Sequence, residues 1–514
     1  MPIRTGEDYI QSLREKDIEV YYKGERIEDV TTHPATKGMI ETQAELYDLQ
    51  HSDEYKDVLT YVNDEGERES IFYKKPKSVE DIKARREASK VWMDYTCGMS
   101  GRANDFLASG VTGMAIGYEH YNTEERDFGQ NVLDYYDYCR KNDVSLTHAL
   151  IDPQIDRSKS SSYRLADDNA DRPGAVRKVD ENDDGIIVSG ARMLATLGPQ
   201  AEEILVYPFG KYGEDEEEQA LAFAVPTDAD GLRQICRPSL DPQDKRNHPV
   251  SSRLDEMDTF VVLDRVFVPW ERVFVDGNIE VANNWRGRHD TAYANLAYYQ
   301  TVVKDLSKAE FAFAVGSMLA ESTGIDEYFH VQSKLGEMAN VVETVRSGLL
   351  ASETGAYEFE VGDETYVVPD TIPLFNIAST FPDMYPRMIE IMRDLGGSGL
   401  VGVPSFEDLE AENPLGGDVK TYFRGKDIEA RDRLSVQKLA YELAISGLGA
   451  REQLYERFYT GGPMRVKANF YHNYPNKEEL KERAIEFGFH GSNEPETGEP
   501  EREVPEEEVP AEDD

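Results

Sequence analysis

The sequence predicts a multi-domain α+β protein: a mainly helical N-terminal segment (1–150), a strand-rich middle (151–280), a helical C-terminal segment (281–490) and a disordered acidic tail (491–514). Three observations carry this. A chain of 514 residues is longer than one ordinary core supports. Apolar residues recur at helical spacing near both ends. Between about 174 and 268, short β-branched runs alternate with Gly, Pro and Asp turns, the pattern of an antiparallel sandwich or barrel.

Glu7 to Lys16 suits one helix, and Val20-Tyr21-Tyr22 with Arg26-Ile27 a hairpin about Lys23-Gly24-Glu25. Ser78-Val79-Glu80-Asp81 resembles a capping box ahead of a breaker-free stretch to Trp92. Glu124 to Lys141 is a further expected helix. Strands are expected at 174–179, 185–196, 204–209, 220–226, 232–237 and 260–268. Leu335, Met338, Val342, Val345 and Leu349 mark one apolar helix face, and 383–394 and 433–458 complete a bundle.

Lys and Arg number 56 against 100 Asp and Glu, a net charge of −44. Residues 493–514 hold eleven acids and one arginine, a net of −10, so −44 − (−10) = −34 is spread over the rest. Such a surface repels phosphate backbones and argues against nucleic-acid binding. It suits a cytoplasm of high salt, where a Debye length of about 3 Å at 1 M screens self-repulsion. No apolar run approaches a membrane span, and Met1 to Arg14 does not read as a signal peptide, so a soluble cytoplasmic enzyme is the expectation. Cys97, Cys139 and Cys236 form no C-x-x-C pair and suggest neither a disulfide framework nor a structural metal site.

The chemistry-bearing stretch is Thr147-His148-Ala149-Leu150-Ile151-Asp152-Pro153-Gln154-Ile155-Asp156-Arg157-Ser158, at the junction of the helical and strand-rich segments. Pro153 biases Asp152 towards extended or turned backbone. Polar groups gathered at such a junction face either a ligand between domains or solvent, and this stretch alone leaves both open. Arg102 follows a glycine turn, from which an arginine enters a cavity or stays in water. Gly397-Ser398-Gly399-Leu400-Val401-Gly402 matches G-x-G-x-x-G, but a helix precedes it and Val403-Pro404 follows, so it reads as a helix end and not as a dinucleotide site. Ser446 to Arg451 either let helices pack closely or leave room for a ligand.

Gly101-Arg102-(x)3-Phe106, Leu146 to Leu150 with Pro153 to Ser158, Ala191 to Thr196, Val266 to Val273 and Leu454 to Phe458 occur in order, and together they resemble the oxygenase component of 4-hydroxyphenylacetate 3-monooxygenases. The resemblance implies an acyl-CoA dehydrogenase-like fold with a helical N-terminal domain, a middle β-barrel and a C-terminal bundle, assembled as a homotetramer. It implies ortho-hydroxylation of a phenol by O2 and FADH2 through a flavin C4a-hydroperoxide, the reduced FAD coming from a separate NAD(P)H:flavin reductase. No metal is implied.

It further implies that Arg102 and His148 hold the phenolic oxygen, with Asp105, Phe106, Pro208 and Phe209 near the substrate. His148, Ala149, Leu150, Gln154, Ile155, Asp156, Arg157, Thr196, Ser446, Gly447, Gly449 and Arg451 would contact the flavin. One departure stands out: Phe106 occupies a position where these hydroxylases carry tyrosine. The family's relative 4-hydroxybutyryl-CoA dehydratase is the alternative, but its cluster needs cysteines where Gly101 and Leu296 stand.

Overall fold

The computed structural model describes residues 3–124, 126–155, 174–208, 210–285 and 290–489. The expectations for Asp156, Arg157, Phe209 and the 491–514 tail lie outside the described residues.

The N-terminal helices begin where their caps place them. Thr5 and Asp8 form a reciprocal capping box for Gly6–Arg14. Ser78 caps Val79–Tyr95 by accepting the Asp81 amide at 3.1 Å. The Asp81 carboxylate, however, takes the amide of Lys77 at 2.9 Å, so the expected box is half formed. The helix expected from Glu124 starts later, at Phe128–Asn142, because Asp127 caps it by accepting the Gln130 amide. Asn104–Ile116 is buried along its whole length.

The middle segment forms two sheets and not the expected barrel. The larger runs Glu25–Arg26, Val20–Tyr22, Leu232–Cys236, Asp258–Pro269, Gly185–Thr196, Arg177–Asn182. The smaller runs Val273–Asp276, Leu221–Pro226, Glu203–Val206, Leu146–Ala149. Among the described residues neither sheet closes. At one end of each, the N-terminal segment supplies the strands: Val20–Tyr22 pairs parallel with Leu232–Cys236, and Leu146–Ala149 parallel with Glu203–Val206. At the edge of the smaller sheet, Leu146–Ala149 packs against the helix Asn104–Ile116 of the same segment.

Tyr293–Glu321, Phe329–Thr354 and Thr371–Gly396 pack on one another as the C-terminal bundle. Met338, Val342, Val345 and Leu349 are buried, on the face their spacing predicts. Gly397, at φ 51°, ends the third helix, so the glycine run is a helix end. The helix expected over 433–458 is two, Ala430–Ala444 and Gly447–Phe458. Ser446 starts the second by accepting the Gly449 amide at 3.0 Å. A hairpin, Tyr357–Val361 with Glu364–Val368, was not anticipated. One hydrophobic cluster runs through helices, sheets and bundle, from Leu46 through Phe223 to Leu448.

Candidate active site

The turn that carries Arg102 is pressed against the bundle. A Cβ on Gly98 would lie 2.5 Å from the Lys308 backbone nitrogen, and one on Gly101 2.5 Å from the Tyr455 hydroxyl. Only glycine lets the chain pass so close. The Arg102 amide then donates to Glu256 at 3.0 Å, which fixes the direction of the side chain. Its guanidinium carbon lies 5.2 Å from the centre of the Tyr459 ring, and Nη2 reaches the Tyr459 carbonyl at 3.4 Å. Nη1 is buried, with no hydrogen-bond partner among the described residues. Burial opposes the charge, but Tyr455, Tyr459, Tyr207 and Tyr293 more than offset this, and the pKa of Arg102 is raised.

His148 reaches the same place from the sheet. It sits opposite Leu205 on the parallel strand Leu146–Ala149, so alternation sends Leu146, His148 and Leu150 to one face. Thr147, on the other face, donates to the Thr196 carbonyl at 2.5 Å. His148 Nδ1 is hydrogen-bonded to the Tyr207 hydroxyl, and the Phe106 ring meets the imidazole edge-on at 5.6 Å. Arg102, Phe106, His148 and Leu150 thus line one cavity. Tyr207, Tyr293, Thr301 and Tyr459 line it too.

Not every expected residue faces this space. Asp105 points away from it: one residue along a helix from Phe106 is a turn of about 100°. Its carboxylate accepts from Gln300 at 2.9 Å, and burial pushes its pKa up to about 7. Pro208 lies behind the wall, its carbonyl accepting from the Trp285 indole at 2.9 Å. Ala149 is buried, whereas Gln154 and Ile155 are exposed.

Thr196 and Arg451, far apart in sequence, meet through Asp258. The Thr196 hydroxyl donates to its carboxylate at 2.8 Å, and Arg451 does so at 2.7 Å. Burial would raise the Asp258 pKa, but Arg451 and Arg237 override it and hold it at about 2. Arg451 also pairs with Glu256 and Glu452, so its charge is already neutralised by protein carboxylates. Ser446 and Gly449 serve the helix start. A Cβ on Gly449 would lie 2.4 Å from the Leu443 carbonyl, and one on Gly447 3.1 Å from the Leu240 side chain. None of the four residues Ser446, Gly447, Gly449 and Arg451 lines the cavity.

Sequence reading missed Tyr207, Tyr293 and Tyr459. The only signal was proximity, since Tyr207 adjoins Pro208 and Tyr459 follows the Leu454 to Phe458 motif.

Two family profiles match almost end to end: 4-hydroxyphenylacetate 3-hydroxylase N terminal over residues 5–275, and 4-hydroxyphenylacetate 3-hydroxylase C terminal over residues 288–487. The chain belongs to the 4-hydroxyphenylacetate 3-hydroxylase family. Among curated members of that family, the 4-hydroxyphenylacetate 3-monooxygenase oxygenase component of Thermus thermophilus is 40% identical over 94% of this chain and 97% of its own. The component of the same name from a Geobacillus species is 36% identical over 95% and 97%. A crystal structure of such an oxygenase component complexed with FAD and 4-hydroxyphenylacetate superposes with a TM-score of 0.88 at 39% identity, covering 94% of this chain and 98% of that one. An archaeal 4-hydroxybutyryl-CoA dehydratase shares the hydroxylase fold with a TM-score of 0.82, but at 21% identity the likeness extends to the fold alone.

Proposed function

We propose that this protein is the oxygenase component of a two-component flavin monooxygenase, hydroxylating a phenol ortho to its hydroxyl, with 4-hydroxyphenylacetate the first substrate to try. The observation that carries the reading is the buried Arg102 guanidinium. Among the described residues one nitrogen has no acceptor, and it shares its cavity with His148. A buried charged donor without an acceptor is costly unless a ligand supplies one. A phenolic oxygen does so. Held by a cation and an imidazole, it gains phenolate character, which enriches the ortho carbon in electrons.

The residues present suit an acceptor-rich cofactor beside that substrate. Arg192, 1% exposed, spends one nitrogen on Asp152, while Nε and Nη2 have no hydrogen-bond partner among the described residues. Thr196 closes the same strand. FAD, bound in reduced form, would supply the oxygen-activating chemistry, and the separate reductase would supply the hydride. The chain's own work is to hold the phenol through Arg102 and His148, and to exclude water with Phe106, Leu150 and the surrounding tyrosines.

A cytoplasmic location belongs to the same reading, because the reductase draws on NAD(P)H. So does a homotetramer, supported by the exposed apolar side chains Phe329 (85%), Met464 (79%) and Phe487 (87%) on the C-terminal helices.

The test is turnover with FAD, a flavin reductase, NADH, O2 and a panel of para-substituted phenols. Catechol formation is expected. Hydrogen peroxide as the sole product across the panel would overturn the reading.

A further inference from the structure

Beyond Arg102 and His148, the cavity holds a chain of hydrogen bonds that the substrate-binding roles do not use. The Tyr293 and Tyr207 hydroxyls lie 2.7 Å apart, and the Tyr207 hydroxyl is hydrogen-bonded to His148 Nδ1. Both tyrosines are buried, at 4% and 2% exposure. Trp285 wedges against both, its ring centre 4.1 Å from that of Tyr207 and 4.7 Å from that of Tyr293. The helix Asn104–Ile116 is shaped for this. A Cβ on Gly110 would lie 2.7 Å from the Tyr293 ring, and one on Gly113 2.6 Å from its Cα.

We propose that Tyr207 and Tyr293 are positioning residues that fix the tautomer of His148, Tyr293 donating to Tyr207, Tyr207 to Nδ1, and the proton so confined to Nε2 presented to the phenolic oxygen. The direction of the chain follows from donor and acceptor strength. A phenolic O–H, with a pKa near ~10, is a far better donor than the N–H of neutral imidazole, and the bare ring nitrogen is a better acceptor than a phenol oxygen. In a neutral imidazole, the hydrogen bond at one nitrogen decides the state of the other. The polarised chain strengthens its last donor. It also gives the site a second source of phenolic hydroxyls, which matters because Phe106 contributes none. No net proton transfer is involved: His148 donates a hydrogen bond and keeps its proton.

This rests on the proposed hydroxylase reading for its purpose, but the tautomer can be measured without turnover. The full chain is labelled with 15N-histidine and its ring nitrogens are recorded between pH 7 and 8 without flavin or phenol, His148→Gln supplying the assignment. The expected result is a protonated Nε2 and an unprotonated, hydrogen-bonded Nδ1. In Tyr207→Phe, and more weakly in Tyr293→Phe, the two tautomers should mix. With 4-hydroxyphenylacetate, catechol formed per NADH should fall roughly three- to tenfold in Tyr207→Phe, the worth of one hydrogen bond. Its pH profile should shift while the melting temperature stays within a few degrees. A wild-type His148 protonated at Nδ1, or a tautomer that both variants leave unchanged, overturns the proposal. Failure on every phenol with the tautomer as expected overturns the hydroxylase reading instead. If Tyr207→Phe does not fold, Tyr293→Phe, which leaves the Tyr207–His148 bond in place, decides.

Discussion

The guanidinium carbon of Arg102 lies 4.2 Å from the centre of the Phe106 ring. The ring therefore stacks beneath the cation that is to hold the phenol, and its edge meets His148. Restoring a hydroxyl here places a donor beside both groups. Phe106→Tyr should lower the KM for 4-hydroxyphenylacetate by about two- to tenfold, the worth of one hydrogen bond of ~0.5–1.5 kcal/mol. Steady-state kinetics on both forms checks this. A raised KM would mean that the pocket is fitted to a different phenol.

Arg102 keeps a buried nitrogen that no described residue accepts from. Arg102→Ala should leave NADH oxidation running while product falls by roughly 100-fold or more, the electrons appearing as peroxide. Arg102→Lys should recover little, because a compact ammonium cannot reproduce the planar fork of donors. Simultaneous assay of catechol, peroxide and NADH decides the matter.

Asp105 holds its proton in the folded protein up to about pH 7, against 3.8 for a free aspartate, chiefly because it is buried. Between those pH values the folded state binds more protons than the unfolded chain. Its contribution to stability is therefore full below the lower value and lost as pH rises through the upper one. Asp105→Asn keeps an acceptor for Gln300 and has no such titration. Relative to wild type it should change little at pH 4 and gain on the order of 2 kcal/mol by pH 8, as read by denaturant midpoints across pH.

Lys304 and Lys308 are fully buried and share Glu456, which takes Lys304 at 2.6 Å and Lys308 on its other oxygen. Lys308 also takes Glu452 at 2.6 Å. This network ties Tyr293–Glu321 to Gly447–Phe458, and Lys304 lies 4.3 Å from the centre of the cavity-lining Tyr459 ring. Glu456→Gln removes the carboxylate the two lysines share, leaving Lys308 with Glu452 and Lys304 with Asp305, and should cost about 3–5 kcal/mol. Thermal melts and the KM for the phenol should both report it.

With a net charge of −44, the folded chain repels itself at low salt. Its melting temperature should rise by several degrees or more between 0.1 and 2 M KCl as screening lengths shrink to a few Å. A melt insensitive to KCl would remove the case for a high-salt cytoplasm.

The α+β layout was legible because helix faces, caps and strand alternation are local signals. Ser78 and the Leu335 to Leu349 spacing needed no tertiary information. Arg102, Phe106, His148 and Leu150 were also singled out from sequence, and the fold brings them to one cavity. Asp105 was misplaced because one step along a helix decides which way a side chain points, and only packing sets that phase. Among the described residues the sheets do not close, because the N-terminal segment joins an edge of each, Val20 opposite Gln234 and Leu146 opposite Glu203, pairings that no local pattern shows. The Tyr293–Tyr207–His148 chain and the meeting of Thr196 with Arg451 on Asp258 were likewise invisible. Sequence alone thus determined most of the elements, since those follow from neighbours a few residues away, and it pointed to the reactive side chains through the family resemblance. The tertiary structure decided which of those side chains face one another, because hydrogen bonds and burial depend on distances through space that no local pattern encodes.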